Sequence, residues 1–115
     1  MDEVGEQLAG WGKVLRLETR GRTSGRPIEV AVGFVEAPDG SYLVAAGSDD
    51  ADWARNLDAD PRCRLSAGGA LTEALAERLD GPEAHIAIRD LILRYGTPAE
   101  RLGAGPVYRL RPAPG

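Results

Sequence analysis

The residues best equipped for chemistry lie in one short stretch, Gly21-Arg22-Thr23-Ser24-Gly25-Arg26, preceded by Arg20. Gly21 and Gly25 permit positive φ, so a turn here can present several backbone N–H groups together, a concavity that favours anions. Thr23 and Ser24 add hydroxyl donors, and Arg20, Arg22 and Arg26 add fixed positive charge. Phosphate or carboxylate is the matching ligand. Composition alone equally describes a solvated hairpin turn, since glycine and serine are turn residues in any case. A phosphate loop of the nucleotide-hydrolase kind is excluded, because the stretch joins strand to strand and has neither the lysine nor the following helix.

Other candidates are sparse. Trp53 lies on a helix that starts shortly after a strand end; it is either core or a broad stacking wall for a flat ligand. The loop before it, Gly47-Ser48-Asp49-Asp50, offers backbone donors at a helix start, opposed by acids at 49, 50 and 52. His85, the single histidine, has no evident acid or nucleophile partner, and the single cysteine, Cys63, reads as core filling on a short strand. One histidine and one cysteine do not make a transition-metal site or a disulfide within one chain. No catalytic side chain is expected. If the chain is an enzyme, a cofactor supplies the chemistry.

The elements that must position these groups follow from periodicity. Lys13 to Arg20 alternates as a half-buried strand, with Leu15, Leu17 and Thr19 against Arg16, Glu18 and Arg20. Pro27 to Ala37 is a second strand, Ile28, Val30, Val32 and Phe34 on one face, with Pro27 able only to begin it. Pro38-Asp39-Gly40 turns the chain into a strand over Ser41 to Ala46. The period then changes to helical: Ser48, Asp49 and Asp50 are N-cap candidates, Trp53 and Leu57 share a face, and Asp60-Pro61 ends the helix. Arg62 to Ala67 is a strand, followed by a Gly68-Gly69 turn. Ala70 to Asp80 is rich in helix formers, yet a two-glycine turn straight after a strand favours a returning strand. Pro82 to Tyr95 is the clearest helix, with the stripe Ile88, Leu91, Ile92 and Tyr95 and a stop at Gly96. Pro106 to Leu110 is a last strand. About six strands with early hairpins and two helices predict an α+β fold, mostly β: a small antiparallel barrel with helices packed over it.

The 115 residues form one domain, 1–115, with 1–12 a loose arm or short helix and 112–115 a tail. A net charge of −4 argues against a general nucleic-acid binder. Thirteen of the 14 basic residues are arginines, which genome base composition explains more readily than function. No signal peptide and no apolar run of about 18 residues is present, so a cytoplasmic location without a membrane span is expected.

The order of motifs resembles the deazaflavin-dependent nitroreductase family: VLRLETR, GRTSGRP, PDG, LVAAG and ADWARNLDADPR, over roughly residues 13 to 80. The paired patterns GR-x-SG-x-P and DW-x-x-NL-x-A-x-P carry the likeness. It implies a split β-barrel oxidoreductase using coenzyme F420, an 8-hydroxy-5-deazaflavin that bears phosphate, with hydride passing directly between cofactor and a nitro- or quinone-like substrate. The implied cofactor-binding residues are Arg22, Thr23, Ser24, Gly25 and Arg26 on the phosphate side, Trp53 near the ring, and Ala46, Gly47 and Ser48. The chain departs from the pattern at Thr23 and Ile28, where basic residues are usual, at Ala46, usually serine, and at Ala54, often aromatic. Some relatives of this fold bind fatty acids or other apolar ligands instead; a carrier of that kind, and an FMN or haem binder on the same barrel, stand as alternatives. The expected partners are small molecules, with the chain a monomer or homodimer.

Overall fold

The alternation in KVLRLETR becomes strand β1 (Val14–Arg20), with Leu15, Leu17 and Thr19 fully buried. The computed structural model describes residues 14–48, 50–96 and 105–113. Along these lie β2 (Pro27–Gly33), β3 (Val35–Glu36), β4 (Tyr42–Ala45), helix α1 (Asp52–Ala59), β5 (Arg62–Ser66), β6 (Thr72–Leu79), helix α2 (Gly81–Tyr95) and β7 (Val107–Pro112). The strands form one antiparallel sheet in the order β2-β1-β5-β6-β7-β4-β3, curled into a half-barrel.

The two outermost strands, β2 and β3, are neighbours in sequence. They are the halves of the strand expected over 27–37, which breaks at Phe34 as the chain passes from one sheet edge to the other. Seven strands therefore replace about six. The break leaves the Phe34 backbone without a ladder partner, and the Tyr95 hydroxyl at the end of α2 supplies both bonds. It accepts from the Phe34 N–H at 3.0 Å and donates to the Phe34 carbonyl at 2.9 Å. Half-buried backbone polar groups need such partners. The Phe34 ring packs edge-on against Tyr42, with the Arg94 guanidinium 4.6 Å from its centroid.

The sheet's two faces carry separate cores. Leu15, Leu17, Val44, Leu65, Tyr108 and Leu110 fill the barrel interior, where α1 adds Ala54 and Leu57. On the outside, α2 buries Ala87 and Leu91 against Leu43, Ala45, Leu79 and Val107. Burying each such Leu or Val stabilises by about 1.5–3 kcal/mol. Residues 70–80, rich in helix formers, contain the strand β6 because it pairs on both sides, with β5 and with β7, which outweighs local propensity.

Three expectations need correction. The helix after β4 starts at Asp52, and its N-cap is Ala51, with no side-chain cap bond; neither Ser48 nor Asp50 caps it, and Asp49 lies outside the described residues. Ile28, expected to share one face with Val30, Val32 and Phe34, is 45% exposed, while Val32 is buried. Pro112 belongs to β7, and the next residue donates to the Glu73 carbonyl, so the strand runs into the expected tail. The arm expected over 1–12 lies outside the described residues.

Candidate functional site

The turn between β1 and β2 is held by its own atoms. The Gly21 N–H donates to the Arg26 carbonyl and the Gly25 N–H to the Gly21 carbonyl, both at 2.8 Å, while the Arg26 N–H donates to Ser24 Oγ at 3.2 Å. Gly25 has φ +72°, the left-handed conformation that glycine adopts without strain. Gly21 is needed for a different reason than expected. Its φ is not positive; it is buried, and a Cβ there would stand 2.7 Å from Ser24 Oγ and 3.2 Å from the Arg26 carbonyl oxygen.

A second set of bonds fastens the turn to α1. Asn56, 1% exposed, accepts at Oδ1 from the Arg22 N–H (3.2 Å) and from Arg22 Nη1 (2.8 Å). Its Nδ2 donates to Thr19 Oγ1 at 3.1 Å. Arg22 also reaches the Asp52 carbonyl and pairs with the Asp52 carboxylate at 3.2 Å. The Arg22 charge is thus committed to the helix.

What remains for a ligand is narrower than the motif suggests. Among the described residues, the amides of Thr23 and Ser24 and the guanidinium groups of Arg20 and Arg26 have no hydrogen-bond or ion-pair partner. Thr23, Ser24 and Arg26 are all exposed. The turn, at Gly25 and Pro27, walls a groove of about 310 Å³ that runs across β1, β5 and β6, where Arg20, Arg62 and Arg64 alternate with Glu18 and Glu73. Its charges are largely paired: Arg64 holds Glu18 at 2.6 Å, and Arg62 forks onto Asp60. The bonds from Arg62 bring the Asp60 carboxyl down to about 2. Beneath, Cys63 is buried, and loss of hydration pushes its thiol up to about 12, leaving it protonated and inert.

The other expected site segment approaches α1 from β4. Ala46 is buried and its N–H donates to the Pro106 carbonyl at 2.9 Å; Gly47 and Ser48 are exposed. Gly105 presses on this segment: a Cβ there would fall 2.2 Å from the Ala46 carbonyl oxygen and 2.8 Å from the Ser48 nitrogen. Trp53 is half-buried, packed on the interior core with its ring 5.8 Å from that of Tyr108. The Tyr108 hydroxyl donates to α1, whose Ala54 carbonyl and Asp58 carboxylate lie at 3.1 and 2.9 Å.

Both expected segments therefore converge on α1. The turn reaches it through Arg22, and Ala46–Ser48 lead into it. No hydrogen bond or ion pair among the described residues joins Thr23, Ser24 or Arg26 to Ala46–Ser48 or Trp53. Asn56 and Gly105 escaped the sequence reading. Asn56 had a signal, a polar residue three positions after Trp53 and beside Leu57 on the inward face of a short helix. Gly105 had none. His85 is exposed in the first turn of α2, and among the described residues no cluster of His, Cys, Asp and Glu fits a metal ion. No helix among them is long and apolar enough to cross a membrane.

The family model for F420H2-dependent quinone reductases matches residues 1–97. The chain belongs to this family. Solved structures similar to this F420H2-dependent quinone reductase family member share its fold. The F420-H2 dependent reductase FDR-A superposes with a TM-score of 0.72 at 23% identity, covering 86% of this chain and 94% of that one. HutZ, the haem storage protein from Vibrio cholerae, gives 0.74 at 23% identity, covering 96% and 88%. A haem-binding protein from Mycobacterium smegmatis gives 0.64 at 27% identity, covering 96% of this chain and 50% of that one. No curated protein matches the chain.

Proposed function

We propose that this family member is an oxidoreductase that binds coenzyme F420 and passes its hydride to a quinone-like or nitro-like acceptor. The observation that carries the reading is the docking of the Gly21–Arg26 turn onto α1. The docking fixes the turn that carries Thr23, Ser24 and Arg26 against the helix that carries Trp53, and their free donors match the cofactor's phosphate side. The residues fit the group: two open amides, exposed hydroxyls and an unpaired guanidinium for the anion, and a half-buried indole beside a short exposed loop for the ring. The bound deazaflavin would supply the hydride. The protein's part is to bind, orient and exclude water. Arg26 binds the anion, Arg22 braces the turn, and Trp53 presents a flat wall.

Titrating purified protein into F420 tests this. Quenching or a shift of deazaflavin fluorescence at micromolar protein is expected, and Arg26→Ala weakens it. No change at high protein concentration overturns the reading. A second reading, a haem or flavin binder on the same barrel, is favoured by the two haem-protein neighbours. A Soret band or a flavin absorption in protein purified without added cofactor would support it over the first.

A further inference from the structure

The proposed site needs two parts of the chain at a fixed separation: the turn that meets an anion and the helix that presents Trp53. They are distant in sequence, and between them runs a single buried side chain. Asn56 Oδ1 takes two donors from Arg22, one from its backbone and one from its guanidinium, while Nδ2 holds Thr19, the strand residue just before the turn. The second link, from Arg22 to the Asp52 carboxylate, is at a helix position 81% exposed, where an ion pair is screened and weak. A buried amide with both ends engaged is geometrically strict, since losing it removes the partners of the Arg22 N–H and the Thr19 hydroxyl together.

We propose that Asn56 is the positioning residue of the cofactor site, setting the anion-binding turn relative to Trp53 without touching the cofactor. The inference rests on the deazaflavin reading but makes its own claim, that the phosphate end and the ring end of the ligand are coupled through this amide. Asn56→Ala removes the coupling. Asn56→Asp keeps the acceptor for Arg22, and the Thr19 hydroxyl can turn to donate to the new carboxylate, so it should rescue.

Two measurements test this. The first compares affinity for F420 with affinity for the same deazaflavin lacking its phosphate-bearing tail, in wild type, Asn56→Ala and Asn56→Asp. Asn56→Ala should lose about tenfold on F420, a difference of about 1.4 kcal/mol, and less than about threefold on the tail-free compound. Asn56→Asp should stay within about threefold of wild type on both. Equal losses on the two ligands, or no rescue by aspartate, would overturn the inference. The second is amide hydrogen exchange on the protein alone. Asn56→Ala should unprotect the Arg22 amide and leave core amides such as Leu17 and Leu110 unchanged, and Asn56→Asp should keep it protected. An Arg22 amide still protected in Asn56→Ala overturns the inference whatever the protein binds. If wild type binds neither deazaflavin, the functional proposal falls, and exchange alone decides whether Asn56 holds the turn.

Discussion

Two arginines four positions apart in one turn have opposite duties, and their substitutions should separate. Arg22 is tied to Asn56 and Asp52, so Arg22→Ala leaves the buried Asn56 carbonyl short of its charged donor. A loss of about 1–3 kcal/mol in unfolding free energy is expected by denaturant titration. Arg26 has an exposed guanidinium with no partner among the described residues, so Arg26→Ala should change stability by less than about 0.5 kcal/mol while weakening deazaflavin binding. Cys63 gives a pH test. Its thiol is held up to about 12 by loss of hydration, whereas an ordinary thiol ionises near 9. Above pH 9 the unfolded state gives up a proton that the folded state keeps, so stability should fall as pH rises from about 9 toward 12. Cys63→Ala should flatten that limb of the curve in alkaline denaturation. At neutral pH, thiol reagents should label Cys63 only as fast as the protein opens.

Elements are joined here by contacts that no local pattern announces. Tyr95 belongs to the apolar stripe of α2, yet its hydroxyl closes both backbone bonds of Phe34 at the split between β2 and β3. Tyr95→Phe keeps the packing and strands those two groups, and should cost about 1–3 kcal/mol, measured as a shift in denaturation midpoint. Gly105→Ala drives a methyl into the Ala46 carbonyl and the Ser48 amide. Overpacking of this kind costs about 1–3 kcal/mol. The same change in the open turn at Gly69, where nothing stands within 4 Å, should be nearly neutral. Because the displaced segment is Ala46–Ser48, Gly105→Ala should also reduce deazaflavin affinity, read by the same fluorescence titration.

At the scale of the molecule, the two edge strands of the half-barrel, β2 and β3, are joined through Phe34, and α1 packs Ala54 and Leu57 into the interior. A ligand bridging the turn and α1 would tie the barrel's edge strand β2 to its plug. It should raise the thermal midpoint with ligand concentration, by an amount equivalent to about 2.7 kcal/mol at one hundred times the dissociation constant. The strand alternation, the glycine turns and the long helix were legible along the chain because each depends on side chains two to four residues apart. The strand character of 70–80 was legible only through the Gly68-Gly69 turn before it. The break at Phe34 was not legible, because it arises from the need to carry one strand between opposite edges of a curled sheet. The exposure of Ile28 was not legible either: it stands near the start of an edge strand, where the alternation alone does not say what covers a residue.

The Gly21–Arg26 turn shows where the two sources of information divide. The sequence by itself determined that a glycine-bounded, arginine-bearing turn joins two strands, and its paired motifs placed the chain near a deazaflavin-using family, because residue type and spacing carry both. Which arginine is free and which is spent, why Gly21 is required, and that Asn56 ties the turn to α1 while Gly105 backs Ala46–Ser48 were decided by tertiary structure alone. The duties of Arg22, Asn56 and Gly105 depend on atoms more than thirty residues apart meeting within hydrogen-bond or van der Waals distance, whereas Gly21 depends on how the turn folds back to set Ser24 Oγ and the Arg26 carbonyl against it.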